Sequence, residues 1–285
     1  MSAADEPTPE RWDGAVVAPA TRRVGRPLYH YERVASTMPL AHALAEAGAP
    51  DGTALVAEEQ TAGQGRRGRQ WAAPHGSAIL CSLIFRPPLP PERLFALTAA
   101  VSVGLCRGVE RATGLRPRVK WPNDLLLDDR KVAGVLTATR LAGARLDHAV
   151  VGLGLNVNVA AADLPPAAPG HLPPTSLAVA LGGEVERLAL LVALLEAIDA
   201  AYDDLWRGDI AAVRRAWLEH AAGLGDEVRV ETEAGALTGR FAGVDEDGAL
   251  VLETAGGVER LLAGDVVLGP RPAGGRGAWS VERGA

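Results

Sequence analysis

The chain has 285 residues, of which 48% are hydrophobic and 22% charged, which suits one large domain or a large domain with a small second one. Its net charge of −6 argues against electrostatic binding to DNA or to an anionic membrane surface. No run of about 18 apolar residues is present to span a bilayer, and two cysteines are too few for a disulfide framework. The N-terminus lacks an apolar signal segment, so we predict a cytoplasmic protein.

The first part of the chain alternates strand and helix patterns. Residues 1–14 are acidic and contain proline, and we predict a disordered leader over residues 1–26. A helix is expected over residues 36–48, because a serine–threonine pair can cap it and Gly48 ends its apolar periodicity. A polar, glycine-rich loop over residues 60–77 follows the second predicted strand. The strands predicted in this part are 27–34, 54–59 and 78–85.

A long apolar-faced helix over residues 93–114 opens the second part of the chain. Strands are then expected over 118–121, 124–127, 131–140 and 146–159, and helices over 176–183, 186–206 and 210–222. After Gly223 the apolar residues alternate with period two and turn signals recur, which predicts about five short strands.

These elements predict an α+β fold in which helices pack beside a strand-rich middle and a small β-barrel follows. We place a catalytic-type domain at residues 27–222 and the β-barrel at residues 223–270. Residues 271–285 are rich in glycine and are predicted to be a disordered tail.

The segment GQGRRGRQW, residues 63–71, combines three glycines with three arginines. Glycine lets backbone N–H groups approach a ligand, and arginine offers two donors to a carboxylate or a phosphate. It is not a Walker loop, because no GK[ST] ends it. The segment therefore predicts an anion-binding loop; the alternative is a solvated loop that contacts nucleic acid non-specifically.

Lysine occurs only twice among the 29 basic residues, at Lys120 and Lys131, and both lie in KWPNDLLLDDRKVAG. A retained ammonium indicates a site that the planar guanidinium fork does not serve. Lysines on adjacent strands can converge on one pocket, and Gly134 leaves room opposite. Asp124 is a weak candidate for holding Mg²⁺ on a phosphate or for accepting a proton. The alternative is an ordinary charged hairpin.

Two further segments carry weaker signals. Ser36 and Thr37 lie where a helix begins, and their hydroxyls can either bind a polar ligand group or simply cap the helix. In GLGLNVN, glycines within a strand mark a bulge or a close approach, and Asn156 could read an adenine edge. The six histidines are scattered without metal-site spacing, and no Ser-His-Asp or Cys-His constellation is convincing.

Taken in this order, ST, QTAGQGRRGRQW, KWPND, RKVAG and GLGLNVN closely resemble the biotin protein ligases over about residues 28–268. The resemblance implies a class II synthetase-like catalytic domain, with a mixed β-sheet flanked by helices, followed by an SH3-like barrel. It also implies ATP-dependent formation of biotinyl-5′-AMP and transfer of the biotinyl group to one lysine of a biotin carboxyl carrier protein. Mg²⁺ is expected with ATP. The chain looks like the monofunctional type without DNA binding, as a monomer or a homodimer, with no membrane partner.

The resemblance also implies roles for single residues. Lys131 and Arg66 are expected to be catalytic. The residues expected to bind biotin are Ser36, Thr37, Gln60, Gln64, Gly65, Arg66 and Lys131. Those expected to bind ATP are Arg66, Arg69, Trp71, Lys120, Asn123, Lys131 and Asn156.

The chain departs from the family pattern at two positions, Gln64 and Met38. Gln64 replaces a frequent arginine and removes one charge from the phosphate side. Met38 replaces a frequent asparagine and removes one possible hydrogen bond near the biotin head. Two rival interpretations are a lipoate–protein ligase, which shares the fold and the acyl-adenylate chemistry, and a non-enzymatic RNA-binding module.

Overall fold

The computed structural model describes residues 10–11, 19–167 and 172–268. Its five α-helices, α1 to α5, are Thr37–Glu46, Phe95–Thr113, Leu177–Leu181, Arg187–Trp206 and Ile210–His220. Strands β1 to β10 are Glu10–Arg11, Leu28–Val34, Ala54–Gln60, Gly63–Gln64, Gln70–Trp71, Ala78–Phe85, Arg118–Lys120, Asp124–Leu127, Arg130–Ala142 and Arg145–Asn156. Strands β11 to β15 are Glu227–Thr232, Gly235–Val244, Leu250–Thr254, Gly257–Leu261 and Asp265–Val267. None of the described helices is long and apolar enough to cross a bilayer.

An eight-stranded mixed sheet forms the centre of the molecule, in the order β1-β2-β3-β6-β10-β9-β8-β7. Strands β2 and β3 pair in parallel, and the other neighbours pair antiparallel. The short strands β4 and β5 form a separate hairpin within the glycine-rich loop. The predicted mixed sheet with flanking helices is therefore confirmed.

Helices cover both faces of this sheet. The larger apolar cluster joins one face to α2, α4 and α5, with Leu97, Ile198 and Trp217 fully buried or nearly so. The smaller cluster joins the opposite face to α1 through Met38 and Ala41. Since side chains alternate across a strand, each residue of the central strands faces one cluster or the other. The face under α1 carries the candidate site.

Residues 223–268, called the β-domain below, form a five-stranded antiparallel sheet in the order β14-β13-β12-β11-β15. The predicted small all-β module is confirmed. The barrel closure is not seen, because β14 and β15 lie at opposite ends of the strand order among the described residues. The β-domain packs against the catalytic domain, with Phe241 in the larger cluster and the Trp121 Nε1–H donating to the Gly248 carbonyl at 3.1 Å.

The prediction of a disordered leader is wrong for residues 19–26, which bind to α4. The backbone N–H groups of Arg22, Arg23 and Val24 donate to the Asp199 carboxylate on α4 at 2.8, 2.9 and 2.9 Å. Charge-assisted bonds of this kind hold a polar segment that has little apolar surface of its own. Strand β1 also pairs with β2. Residues 1–9 and 12–18, and the predicted tail at 271–285, lie outside the described residues.

Candidate functional site

A depression in the α1 face of the sheet begins with glycines on two neighbouring strands. Gly152 and Gly154 on β10 pair with Leu136 and Gly134 on β9. A Cβ at Gly154 would lie 2.7 Å from Trp71 Nε1, and one at Gly152 would lie 2.7 Å from Met38 Sδ. The absence of side chains there lets an indole and a thioether lie directly on the sheet.

The cavity formed around this depression is called the sheet cavity below. It lies between the start of α1, the end of β3, the glycine-rich loop and the β8–β9 hairpin. The polar and charged side chains that line it are Ser36, Thr37, Gln60, Gln64, Arg66, Arg69, Gln70, Asn123, Asp124 and Lys131. Trp71, Met38, Cys81, Val135, Leu136 and Leu153 supply its apolar surface, and Gly65, Gly134, Gly152 and Gly154 its backbone surface.

One end of the sheet cavity holds a relay of three buried or half-buried polar side chains. Gln60 Oε1 accepts the Thr37 N–H at 2.8 Å and the Thr37 hydroxyl at 3.0 Å, and Thr37 Oγ1 lies 2.7 Å from Ser82 Oγ. The backbone N–H fixes the Gln60 amide orientation, because only the oxygen can accept it. The Gln60 Nε2–H₂ group has no hydrogen-bond acceptor among the described residues and is available to donate to a ligand.

Ser36 caps α1 with its side chain, as the capping prediction requires, accepting the Met38 N–H at 3.4 Å. Met38 is almost fully buried and covers Gly152. Its thioether therefore fills space where a polar side chain would offer a hydrogen bond, and the polar recognition at this end of the cavity comes from Gln60 and its neighbours.

The opposite end of the cavity is built on the β8–β9 hairpin. A bulge lies where Leu125 pairs with Ala133 and Leu126 pairs with Lys131. Because the bulge inserts one residue, it turns Lys131 onto the same face as Asp124. The Lys131 ammonium lies 2.7 Å from Asp124 Oδ1 and 5.7 Å from the centre of the Trp71 ring. A mobile cation thus lies at the mouth of the cavity, held by a carboxylate and an aromatic face.

Both backbone groups of Lys131 are hydrogen-bonded to residues 173–175. Its N–H donates to the Pro173 carbonyl at 2.8 Å, and its carbonyl accepts the Thr175 N–H at 2.8 Å. The main chain is therefore fixed while the side chain stays about one third exposed, so the ammonium can move between ligand groups.

Residues 63–71, called the arginine loop below, cover this end of the cavity. Arg66 Nη1 donates to Asn123 Oδ1 at 3.0 Å. Three guanidinium groups approach Asp265 of the β-domain, with Arg67 at 2.9 Å, Arg66 at 3.8 Å and Arg69 at 4.0 Å. Arg67 adopts a left-handed backbone conformation with a φ of 55°, which a non-glycine residue adopts only when its surroundings hold it. Asp265 of the β-domain therefore holds the arginine loop in place.

Buried atoms without partners also point to a ligand. Trp71 Nε1 is buried and has no hydrogen-bond partner among the described residues. A buried donor of this kind destabilises the protein unless something accepts from it. By contrast, burial raises the pKa of the Cys81 thiol to about 12, so this cavity residue is neutral and is not a nucleophile.

The structure brings together most of the residues expected from the sequence. The members of that set that line the sheet cavity are Ser36, Thr37, Gln60, Gln64, Gly65, Arg66, Arg69, Trp71, Asn123 and Lys131. Lys120 lies outside this lining, in an adjoining cavity between the two domains. Asn156 also lies outside it, because its buried Nδ2 donates to the Thr175 carbonyl at 3.0 Å. That position gives no support to the prediction that Asn156 reads adenine.

Asp124 is paired with the Lys131 ammonium at 2.7 Å, and its role in holding Mg²⁺ on a phosphate stays a prediction. The described residues contain no group of three or more His, Cys, Asp or Glu side chains that could hold a metal ion by themselves. Sequence reasoning missed Asp265 and Ser82 altogether. Ser82 could have been found from the alternation of β6, since it shares a face with the residues under α1.

Two family models match the chain, the Biotin/lipoate A/B protein ligase family over residues 31–156 and the Biotin protein ligase C terminal domain over residues 223–269. A Bacillus spizizenii protein named bifunctional ligase/repressor BirA is 34% identical and covers 87% of this chain and 76% of its own length. A Paracoccus denitrificans protein named biotin--[acetyl-CoA-carboxylase] ligase is 35% identical over 75% of this chain and 90% of its own length. The chain therefore belongs to the biotin protein ligase family.

Solved structures agree with the fold. The biotin protein ligase from Aquifex aeolicus in complex with biotin and ATP superposes with a TM-score of 0.67 at 28% identity, covering 84% of this chain and 97% of that one. The predicted family and architecture are confirmed by these matches.

Proposed function

We propose that this protein activates biotin with ATP to biotinyl-5′-AMP and transfers the biotinyl group to a lysine of a biotin carboxyl carrier protein. The observation that carries the proposal is the position of the Lys131 ammonium. It lies where the sheet cavity meets the arginine loop, so one cation can contact a carboxylate on one side and a phosphate on the other.

Biotin is proposed to lie along the glycine depression with its ring system at the Gln60 end. The free Nε2–H₂ of Gln60 can donate to a ureido oxygen, and the Ser82–Thr37–Gln60 relay keeps that amide oriented. The apolar valeryl chain would then run past Gly152 and Met38 towards Lys131. In this arrangement Met38 contributes contact area rather than a hydrogen bond.

ATP is proposed to bind at the Lys131 end. Arg66 and Arg69 are placed to exchange the Asp265 carboxylate for phosphate oxygens, because both groups accept bidentate bonds from a guanidinium. Trp71 offers an aromatic ring beside them, with the Lys131 ammonium 5.7 Å from its centre. ATP enters as its magnesium complex, with the metal carried on the phosphates.

In the first half-reaction a biotin carboxylate oxygen attacks the α-phosphorus, an O–P bond forms, and the bond to pyrophosphate breaks. Two anions must approach each other, so the rate depends on positive groups that are already in place. Lys131 supplies this charge, and Asp124 holds it in position at 2.7 Å. The arginine loop is proposed to close over the product and to exclude water from it.

In the second half-reaction the carrier lysine attacks the acyl carbon and AMP leaves. The acceptor is proposed to be a carrier domain of a biotin-dependent carboxylase, by analogy with the acetyl-CoA-carboxylase ligases among the relatives. A cytoplasmic location is proposed too, in keeping with two buried, unpaired cysteines.

Biotin-dependent exchange between pyrophosphate and ATP tests the first half-reaction. We expect Lys131→Ala to lower the exchange rate by about 10²- to 10³-fold, as is usual when one preorganised charge is removed. Lys131→Arg should also be slow, because a planar guanidinium fork does not replace a compact, mobile ammonium between two anionic groups. Arg130→Lys, one residue away and outside the cavity lining, is the matched control. Near-normal exchange in both Lys131 variants would remove this residue from the mechanism.

A further inference from the structure

A second cavity, called the interdomain cavity below, lies beside the sheet cavity at the junction with the β-domain. It has a volume of about 510 Å³, and its polar lining is Arg67, Arg69, Lys120, Asp124, Lys131, Glu231 and Asp265. Leu172 and residues 266–268 supply its apolar wall. Arg69, Asp124 and Lys131 line both cavities, so the two spaces meet at the Lys131 ammonium.

Lys120 lies in the interdomain cavity, directly beside this junction. It is the last residue of β7, and its partner across the hairpin is Asp124. Residues paired in this way project from the same face with Cβ atoms about 5 Å apart. Lys120 and Lys131 thus approach one carboxylate from two sides, and Lys131 already occupies it at 2.7 Å.

Unlike Lys131, Lys120 is only 8% exposed. Within the part of the chain that the structure describes, it forms no ion pair and no side-chain hydrogen bond. A largely desolvated ammonium without an acceptor is less favourable than a neutral amine at the same place. The surroundings of Lys120 therefore suit a proton acceptor better than a permanent charge that binds phosphate.

Burial and the neighbouring cations both favour the neutral amine of Lys120. Burial is the largest cause that lowers its pKa, and Lys131 and Arg66 lower it further. Asp124 and Asp265 oppose this shift without cancelling it. The other charged groups that face the cavity are Arg67, Arg69 and Glu231. Raising the pH through the lowered pKa converts Lys120 to the neutral amine.

We propose that Lys120 is the proton acceptor of the transfer half-reaction, taking a proton from the acceptor lysine as that side chain enters through the interdomain cavity. The inference rests on the proposed function and adds a residue to its second step. The cavity suits an extended lysine side chain, since residues 266–268 offer an apolar wall and Asp265 and Glu231 offer carboxylates to its ammonium.

The acceptor ammonium gives one proton to the Lys120 amine, and the amine so formed attacks the acyl carbon of biotinyl-5′-AMP. The C–N bond forms, and the bond from the acyl carbon to the phosphate oxygen breaks with its electron pair going to AMP. The second proton of the nitrogen leaves to water, and Lys120 returns its own proton to solvent through the open cavity.

Asp124, which the sequence offers as the proton acceptor, is less suited to this role. Its carboxylate is already bound to the Lys131 ammonium, and a carboxylate neutralised by a cation is a weak base. The sequence also predicts that Lys120 binds the nucleotide phosphates as a permanent positive charge. An arginine could fill that role, whereas it could not act as a base.

The test separates the two half-reactions in Lys120→Arg. We expect single-turnover transfer from preformed biotinyl-5′-AMP to a carrier domain to slow by about 10²- to 10⁴-fold, a much larger loss than that in biotin-dependent pyrophosphate exchange. The wild-type transfer rate should rise with pH to a plateau that Lys120→Arg lacks. Arg118→Lys, on the same strand but outside both cavity linings, is the control and should behave as wild type.

A second variant, Lys120→Ala, tests the proposal independently of whether Lys120→Arg folds. Lys120→Ala should regain transfer when small primary amines are added, with a rate that depends on the pKa of the amine, which a purely structural role would not produce. Transfer by Lys120→Arg at the wild-type rate, or equal loss of exchange and transfer, would overturn the proposal and leave Lys120 as a phosphate anchor. Absence of biotin-dependent exchange in the wild-type protein would overturn the proposed function as well.

Discussion

Substituting Asp265 with asparagine should release the arginine loop of the empty enzyme. The variant keeps the shape of the side chain and removes the charge that three guanidinium groups share. Asp265 is 18% exposed, whereas Arg67 and Arg69 are 44% and 40% exposed, so solvent screens much of each attraction. We therefore assign about 0.2–1 kcal/mol to each exposed pair and about 1–2 kcal/mol to the whole cluster.

A loss of about 1–2 kcal/mol corresponds to a 5- to 30-fold larger population of the open loop. Arg67 adds to this effect, because its left-handed backbone relaxes once the ion pair at 2.9 Å is gone. The contact of Arg66 with Asn123 remains and limits the change. The loop should open locally while the rest of the domain stays folded.

Limited trypsin digestion followed by mass spectrometry measures this population, because cleavage after residues 66, 67 and 69 is diagnostic. When opening is fast relative to cleavage, the cleavage rate follows the open fraction. We expect cleavage about 5- to 30-fold faster in Asp265→Asn than in wild type, and slower cleavage of wild type with biotin and ATP present. Glu231→Gln, on the same cavity wall, is the matched control. Equal cleavage of wild type and Asp265→Asn would refute the role of the β-domain in holding the loop.

Three more outcomes follow from the geometry. Gly154→Ala places a methyl group within 2.7 Å of Trp71 Nε1, so the indole must move and ATP affinity measured by calorimetry should fall by about 1–3 kcal/mol. Thr37→Val removes the hydroxyl between Ser82 and the amide that it orients, and biotin binding should weaken by about 1–3 kcal/mol. Asp199→Ala leaves three backbone N–H groups without their acceptor, and urea denaturation should show a loss of about 3 kcal/mol.

The same three measurements can also contradict these predictions. Unchanged ATP affinity in Gly154→Ala would mean that the indole position is not important for the nucleotide. Unchanged biotin affinity in Thr37→Val would exclude the relay from head-group recognition. For the third variant, an unchanged urea midpoint would show that the segment at residues 19–26 adds nothing to stability. Asp204→Ala, on the same helix and half-exposed, is the control for that measurement.

Local sequence signals accounted for the elements and for most of the site. The β8–β9 hairpin is contiguous, so Asp124, Lys131 and Gly134 could be placed on neighbouring strands from spacing alone. Glycines inside a strand pattern indicated a close approach, and the structure shows Met38 and Trp71 on them. Capping chemistry likewise located the start of α1 at Ser36.

The errors arose where distant parts of the chain meet. Asp265 contacts Arg67 across 198 positions, and Asp199 binds Arg22 across 177. No periodicity or turn rule connects residues so far apart, so neither contact could be predicted. The adenine role of Asn156 stays a prediction, and its buried amide donates to the Thr175 carbonyl. The bulge that turns Lys131 onto the face of Asp124 is also a product of strand pairing rather than of local sequence.

The account as a whole depends on transfer of a biotinyl group to a carrier lysine. Intact-mass spectrometry of a biotin carboxyl carrier domain incubated with the enzyme, ATP and biotin tests this directly, with lipoate in place of biotin as the parallel reaction. We expect the carrier mass to increase by one biotinyl group, on a single lysine, only when both biotin and ATP are present. An unmodified carrier, or acylation by lipoate in preference to biotin, would contradict the account.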